Sequence, residues 1–182
     1  LKDAAAVKRE SIGARVAKAA EIVNNSLEEH FILWHDLEAE RHAIKHALPE
    51  AVEIYGSQDL DERESNTIAF SNGEIRLLAT KKELSGSGCN FQRHCHRAIF
   101  AGIDYEFNDF IQAIHRIYRF LQGERVVIDI IYMDAESEIL RALQRKWAQY
   151  DEMTTKMAEI VKKYGLSGVN MAEKLQRSIG VE

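Results

Sequence analysis

Short apolar runs of strand length alternate with amphipathic segments of helical spacing through most of the chain. The apolar runs are Phe31–Trp34, Val52–Tyr55, Ile75–Thr80, Ala98–Ala101 and Val126–Met133. Strands that alternate with helices pair side by side in parallel, and the connecting helices cover both faces of the sheet. The chain therefore predicts an α/β fold built on a mostly parallel sheet with helices on both faces.

The segments between these runs have the spacing of helices. Apolar residues three and four positions apart mark one face of an N-terminal helix: Ile12, Val16, Ala19, Val23 and Leu27. Further helices are predicted over residues 36–48, 59–70, 105–121 and 136–163, with a short one near 169–178. Asp36 is the expected N-cap of the second helix, which Pro49 ends. We expect one domain over residues 1–148 and a helical C-terminal extension over residues 149–182.

The composition excludes several classes of protein. A hydrophobic content of 46% and a charged content of 29% are ordinary for a globular protein, and 182 residues suit one core. The apolar runs are far shorter than the roughly 20 residues of a membrane span, so no membrane partner is expected. Two cysteines favour a reducing, cytoplasmic setting. The chain begins at Leu1 with a charged helical segment, so we expect no signal peptide and a fragment or processed chain.

The charge is distributed unevenly along the chain. The formal net charge is −5, which is mild evidence against a general nucleic-acid binder. Residues 76–97 nevertheless form a basic strip in which Glu83 is the single acid; its cations are Arg76, Lys81, Lys82, Arg93 and Arg97. A basic strip on an acidic protein could follow a nucleic-acid backbone. The alternative is a solvated surface of mixed charge.

The segment QAIHRIYRFLQ (112–122) carries two arginines and two glutamines at helical spacing. Gln112, Arg116, Arg119 and Gln122 are four, three and three positions apart, which places them on one face of the predicted helix. Guanidinium groups stabilise phosphoryl charge because they are always charged and present a fork of donors. The alternative is an amphipathic helix whose charged face is only solvated.

A second segment, LLATKKELSGSGCNFQ (77–92), joins a strand to a glycine-rich loop. Thr80 ends the strand, Gly86 and Gly88 lie in the loop, and Asn90 follows them. Glycines allow the backbone to approach a phosphate or sugar closely, and successive loop amides can form an anion-binding nest. A single pair of glycines is weak support, so the interpretation depends on the order of strand, threonine, loop, asparagine and arginine helix.

Four potential zinc ligands, Cys89, His94, Cys95 and His96, fall within eight residues. Zinc sites usually combine one closely spaced pair with a second pair some distance away, and no distant pair is present here. We therefore expect no metal site. A zinc-dependent regulatory α/β domain stays a weaker alternative.

The segment 77–92 resembles motif V, and the segment 112–122 resembles motif VI, of the C-terminal RecA-like lobe of superfamily-two DNA helicases and translocases. The resemblance covers roughly residues 12–147 and is greatest to the chromatin-remodeller-like branch, in particular its phage and prophage DEAD/DEAH-type members. Residues 18–40 are similar to the motif IV region of that branch. The chain departs from the pattern where Phe-Leu-Gln replaces the usual Gly-Gln after the last arginine.

The resemblance implies a role for individual residues. Arg116 and Arg119 would be catalytic and would face the phosphates of ATP. Other residues would bind this cofactor: Gly86, Gly88, Asn90 and Gln112. A further group would contact the phosphate backbone of DNA: Ser57, Thr80, Lys81 and Lys82. ATP with Mg²⁺ would be bound mainly by an N-terminal RecA-like lobe of the same parent protein.

The sequence contains no G-x-x-x-x-G-K-[ST] segment, so the lysine that cradles the phosphates is expected on the other lobe. The leading interpretation is an ATP-dependent DNA helicase or translocase of which this chain is the second motor lobe, inactive by itself. The alternative is a non-catalytic RecA-like module that docks DNA or protein. An aligned pair of arginines favours the first interpretation.

Overall fold

A five-stranded parallel sheet forms the centre of the protein. The computed structural model describes residue 6, residues 8–84 and residues 90–164. Its strands are β1 (His30–Trp34), β2 (Val52–Ile54), β3 (Leu77–Thr80), β4 (Cys95–Phe100) and β5 (Val127–Ile130). They lie in the order β2-β3-β1-β4-β5, and every neighbouring pair is parallel. The predicted parallel α/β sheet is confirmed.

Helices cover both faces of this sheet. They are α1 (Ile12–Asn24), α2 (Glu38–Ala47), α3 (Leu60–Ser71) and α4 (Phe107–Ile114); a further helix, α5 (Ser137–Tyr164), follows the last strand along the chain. On one face, Val16 and Val23 of α1 pack with Ile44 of α2 against strand residues such as Leu33. On the other face, Phe110 of α4 lies 4.8 Å from Phe100 of β4, measured between ring centroids. Of the predicted apolar face of α1, Val16, Ala19 and Val23 are buried and Ile12 is partly buried, whereas Leu27 follows the end of the helix and is exposed.

Strand β4 begins at Cys95, three residues before the predicted start at Ala98. The sequence pattern conceals this part of the strand because His96 and Arg97 are polar. The Arg97 guanidinium forms ion pairs with two carboxylates: Nη1 lies 2.5 Å from Glu29 Oε2, and Nη2 lies 3.2 Å from Asp129 Oδ2 of β5. An ion-paired arginine thus occupies a position in the sheet that lies before the predicted strand.

The prediction that Asp36 is the N-cap of α2 is wrong. The helix begins at Glu38, and the Glu40 carboxylate accepts hydrogen bonds from the backbone N–H groups of Asp36 (2.8 Å) and Leu37 (3.0 Å). The Asp36 carboxylate instead forms ion pairs with Lys8 at 2.7 Å and Lys82 at 3.0 Å. Two ammonium partners bind an ionised carboxylate more strongly than a single backbone amide does.

A buried ion pair joins α1 to α2. Arg15 and Glu40 are almost completely buried, and Arg15 Nη1 lies 2.7 Å from Glu40 Oε1. Arg15 also donates to Ser11 Oγ (3.1 Å) and to the carbonyl oxygens of Lys8 (2.7 Å) and Ala101. Buried charges are tolerated when they are paired and hydrogen-bonded, so this arrangement fixes both helices to the end of β4.

The described residues fall into two compact units, divided between Leu140 and Arg141. The predicted long helix over residues 136–163 is confirmed as α5, a single helix of 28 residues. The division of the chain at residue 148 stays a prediction, and the helix expected near 169–178 lies outside the described residues. Among the described residues, no helix combines the length and apolar character that a membrane span requires.

Candidate functional site

Helix α4 ends at Ile114, so the prediction of one helix over residues 105–121 is wrong in its second half. The residues after Ile114 form successive turns, and several of their carbonyl oxygens accept hydrogen bonds from outside the helical pattern. The backbone N–H of Phe91 donates to Arg116 O (3.0 Å), and Gln122 Nε2 donates to Ile117 O (3.0 Å). Gln92 Nε2 reaches Phe120 O at 3.5 Å. Residues 91 and 92 and the Gln122 side chain thus hold the turns in place.

The turns nevertheless bring both arginines to one place. Gln112, Arg116 and Arg119 line a single cavity of about 400 Å³, together with His115, Tyr118 and Phe120. We call this the arginine cavity. Gln122 is not part of it, because its amide binds Cys95 O (3.2 Å) and holds the turn against the start of β4. Three of the four residues predicted to share a face therefore share a site.

Neither arginine is neutralised within the part of the chain that the structure describes. No described carboxylate lies within ion-pair distance of Arg116 or Arg119, and the buried Nε of Arg116 has no hydrogen-bond partner among the described residues. A buried donor left without a partner costs about 1–3 kcal/mol. The cavity is therefore suited to an anionic ligand that accepts several hydrogen bonds.

Asn90 lies directly beside the arginine cavity. Its side-chain oxygen accepts a hydrogen bond from Arg119 Nη1, and its backbone oxygen accepts one from Ser71 Oγ at 2.9 Å. The next residue, Phe91, is buried and packs edge-on against Phe70, with 5.0 Å between ring centroids. This anchor fixes the asparagine of the loop against the second arginine. Gly86 and Gly88 lie outside the described residues.

His115 is held neutral beside Arg119. Burial lowers the pKa of the His115 imidazole, and the nearby Arg119 charge lowers it further. At neutral pH the ring can therefore donate one hydrogen bond and accept another without adding charge. The positive charge that faces the cavity comes from the two arginines.

Leu121 has a backbone φ of 71°, the left-handed region that side chains with a Cβ rarely adopt. Its side chain is largely exposed, so burial of the side chain offers little compensation for the strained backbone. Strain of this kind persists when the surrounding structure fixes the backbone on both sides.

We expect Leu121→Gly to stabilise the protein by about 1 kcal/mol, because glycine adopts positive φ without steric strain. The measurement is the urea midpoint of unfolding, with Leu121→Ala as the matched control. Alanine removes the same exposed side chain but keeps a Cβ, so it should give no comparable gain. Equal midpoints for both variants would show that the backbone at this position is not strained.

The residues predicted to contact DNA lie at the carboxyl ends of the strands, whereas the arginine cavity lies near the amino end of β4. Ser57 is exposed in the turn after β2, Thr80 is the last residue of β3, and Lys81 follows it. Lys81 is partly exposed and forms an ion pair with Glu38 at 3.1 Å. The arginine cavity, in contrast, is tied to residues that precede β4. The strands thus separate the two groups of predicted site residues, and Thr80 is completely buried.

Lys82 is turned inward. Its ammonium lies 3.0 Å from Asp36 and 2.5 Å from Asp104, and its side chain is nearly inaccessible. Burial acts to lower the pKa of Lys82, but the two carboxylates outweigh it and raise the pKa. The sequence contains a signal for this cluster, since Asp36 and Asp104 follow neighbouring parallel strands whose carboxyl ends share one edge. The Lys82 ammonium thus joins the residues that follow β1 and β4.

The cysteine and histidine cluster has local partners. Cys95 is buried, and its thiol contacts the carbonyl oxygens of Arg97 (3.2 Å) and His30 (3.4 Å). Burial raises the pKa of Cys95 to about 12, whereas zinc is bound by the thiolate. His96 lies 3.1 Å from Glu29. Among the described residues, which exclude Cys89, no three potential metal ligands come together.

Solved structures of ATPase lobes share this fold. The C-terminal part of the Fun30 ATPase domain matches with a TM-score of 0.56 at 17% identity, over 66% of this chain and 41% of that one. The C-terminal domain of the DEAD-box protein Dbp5 matches with a TM-score of 0.62 at 15% identity, over 74% and 79%. A longer S. cerevisiae Dbp5 structure, bound to Gle1 and IP6, matches with a TM-score of 0.63 at 16% identity, over 83% and 43%.

At these identities the likeness establishes the fold: this chain has the RecA-like fold of the C-terminal lobes. The chain spans less than half of the Fun30 structure and of the longer Dbp5 structure. The sequence matches no protein-family model and no curated protein.

Proposed function

We propose that this chain is the second motor lobe of an ATP-dependent DNA helicase or translocase of superfamily two. Its relatives would be the phage and prophage members of the chromatin-remodeller-like branch. The observation that carries the proposal is the arginine cavity, where Arg116 and Arg119 lie together without a described carboxylate partner. Arg119 also holds Asn90, so the two motifs that the resemblance identifies converge at one place.

The arginine cavity suits the phosphates of ATP but not the metal that accompanies them. Among the described residues, none that lines it is an aspartate or glutamate, whereas Mg²⁺ is bound through carboxylates and phosphates. In the proposal, the N-terminal RecA-like lobe of the same parent supplies the lysine, the carboxylate for Mg²⁺ and most of the nucleotide contacts. Arg116 and Arg119 then stabilise the charge on the transferred phosphoryl group.

The DNA backbone would lie along the carboxyl edge of the sheet, on the side of Ser57 and Lys81. Such contacts are made to phosphates, so they carry little sequence specificity. Lys82 belongs to the same proposed surface, and its ammonium would have to leave Asp36 and Asp104 to reach a phosphate. Because Thr80 is buried, it reaches a phosphate only if the turn after β3 moves. A cytoplasmic setting is part of the same proposal.

The second candidate function is a lobe that docks another protein without catalysis. The S. cerevisiae Dbp5 structure bound to Gle1 favours it, because it shows the same fold in a complex with a protein partner. The unneutralised arginine pair argues for the catalytic lobe instead, since a docking surface has no need of two guanidinium groups around one cavity.

The test is ATP hydrolysis with and without the second lobe. We expect no hydrolysis by this chain alone, and DNA-stimulated hydrolysis by the parent protein that contains both RecA-like lobes. The reason is that the phosphate-binding lysine and the metal-binding acid are contributed by the other lobe. Hydrolysis by the isolated chain, or none by the two-lobe protein with DNA present, would contradict the proposal.

A further inference from the structure

Two aromatic side chains beside the arginines are exposed to solvent. Phe120 is 88% exposed and Tyr118 is 60% exposed, and both line the arginine cavity. Single exposed apolar residues are common on protein surfaces. Two aromatic rings within three residues, next to two guanidinium groups without a described carboxylate, form a more specific combination.

The backbone holds Phe120 in a defined position. Its carbonyl oxygen accepts a hydrogen bond from Gln92 Nε2 (3.5 Å), and the N–H of Gln122 donates to the carbonyl of Arg119 (3.1 Å). The residue after it, Leu121, keeps a positive φ. Hydrogen bonds on both sides therefore fix the backbone at Phe120, whose ring is exposed at the rim of the cavity.

We propose that Phe120, with Tyr118 beside it, is the stacking surface for the base of the nucleotide whose phosphates Arg116 and Arg119 bind. A flat base gains from stacking on an aromatic ring, and the gain is similar for all bases because each presents a π-face. A nucleoside triphosphate combines the flat ring and the polyanion that this site can accept. The inference rests on the proposed function and adds to it a contact made by the base.

The test compares two anionic probes, ATP and inorganic tripolyphosphate, which share a chain of three phosphates but differ in the base. Binding to this chain is measured by NMR titration for the unaltered protein, Phe120→Leu and Arg119→Ala. Phe120→Leu keeps an apolar side chain and removes the aromatic ring. Tyr132→Ala is the control, since Tyr132 is a partly exposed aromatic residue that follows β5 and does not line the cavity.

We expect Phe120→Leu to weaken ATP binding by about fivefold to tenfold and to leave tripolyphosphate binding within about twofold. Arg119→Ala should weaken the binding of both probes, and Tyr132→Ala should leave the binding of both unchanged. GTP should behave as ATP does, because stacking tolerates any base.

If Phe120→Leu binds both probes as well as the unaltered protein does, or loses affinity for both equally, the stacking inference is overturned while the arginine site stays intact. Unchanged binding of both probes to Arg119→Ala would contradict the proposed function itself. Failure of the unaltered chain to bind either probe at millimolar concentration would overturn the inference as well. Thermal unfolding of each variant shows whether a loss of binding comes from a loss of folding.

Discussion

Replacing Arg116 or Arg119 with alanine is expected to lower DNA-stimulated ATP hydrolysis by at least about a hundredfold in the two-lobe parent protein. Arginines that meet the transferred phosphoryl group contribute roughly 10³–10⁵ to the rate of related phosphoryl-transfer reactions. The two side chains share one cavity, and neither has a described carboxylate partner to neutralise it. The measurement is the turnover number at saturating ATP and DNA.

The matched control is Arg125→Ala, which removes an exposed arginine close in sequence but outside the cavity. It should keep full turnover. DNA binding should be largely retained in all three variants, because the arginine cavity and the carboxyl edge of the sheet are separate. Unchanged hydrolysis in both Arg116→Ala and Arg119→Ala would reject the catalytic role and favour the docking lobe.

Glu40→Ala is expected to destabilise the folded protein by about 3–5 kcal/mol, the largest effect on stability that we predict. The substitution leaves the Arg15 guanidinium buried without its carboxylate and removes the acceptor of the Asp36 and Leu37 amides. Uncompensated burial of a charge is costly because the protein interior solvates ions poorly. The measurement is the free energy of unfolding from urea titration.

Two further variants separate burial from charge pairing as such. Glu21→Ala removes an ion pair with Lys18 at the same distance of 2.7 Å, but both side chains are more than half exposed. Glu21→Ala should lower the free energy of unfolding by less than about 1 kcal/mol. The double variant Arg15→Met with Glu40→Leu replaces the buried pair by apolar groups. It should recover much of the stability that Glu40→Ala loses. Equal effects of Glu40→Ala and Glu21→Ala would contradict this account of the buried pair.

The architecture could be predicted from the sequence because its signals are local. Apolar runs such as Phe31–Trp34 are buried on both faces of the parallel sheet, so they read directly as strands. The helix after β2 was also predictable, since Asp59 accepts from the N–H groups of Asp61 and Glu62 at its start. These features depend on neighbours within a few residues.

The errors concern residues whose conformation depends on distant partners. Helix α4 stops at Ile114, and the turns after it are bonded to Phe91, Gln92 and Gln122, which no periodicity in the segment shows. Lys82 has the sequence of a surface cation, yet Asp36 and Asp104 draw it inward from two other strand ends.

The proximity of Arg116 and Arg119 could be predicted from the sequence, but the backbone that brings them together could not. Spacing placed Arg116 and Arg119 on one helix face, and the structure brings them together through turns instead. The positive φ of Leu121 belongs to those turns and has no counterpart in the sequence pattern, since leucine rarely adopts it. Exposure of Phe120 beside the arginines is also visible only in three dimensions.

The most direct test of the arginine cavity compares the affinity of the two-lobe protein for ADP with its affinity for ADP plus aluminium fluoride, an analogue of the transition state. A group that acts on the transferred phosphoryl stabilises the transition state more than the ground state. It should therefore strengthen binding of the analogue more than binding of ADP. We predict that the analogue binds about a hundredfold or more tightly than ADP in the unaltered protein, and that Arg119→Ala removes most of this difference. An unchanged ratio of the two affinities in Arg119→Ala would contradict the claim that this lobe supplies catalytic arginines.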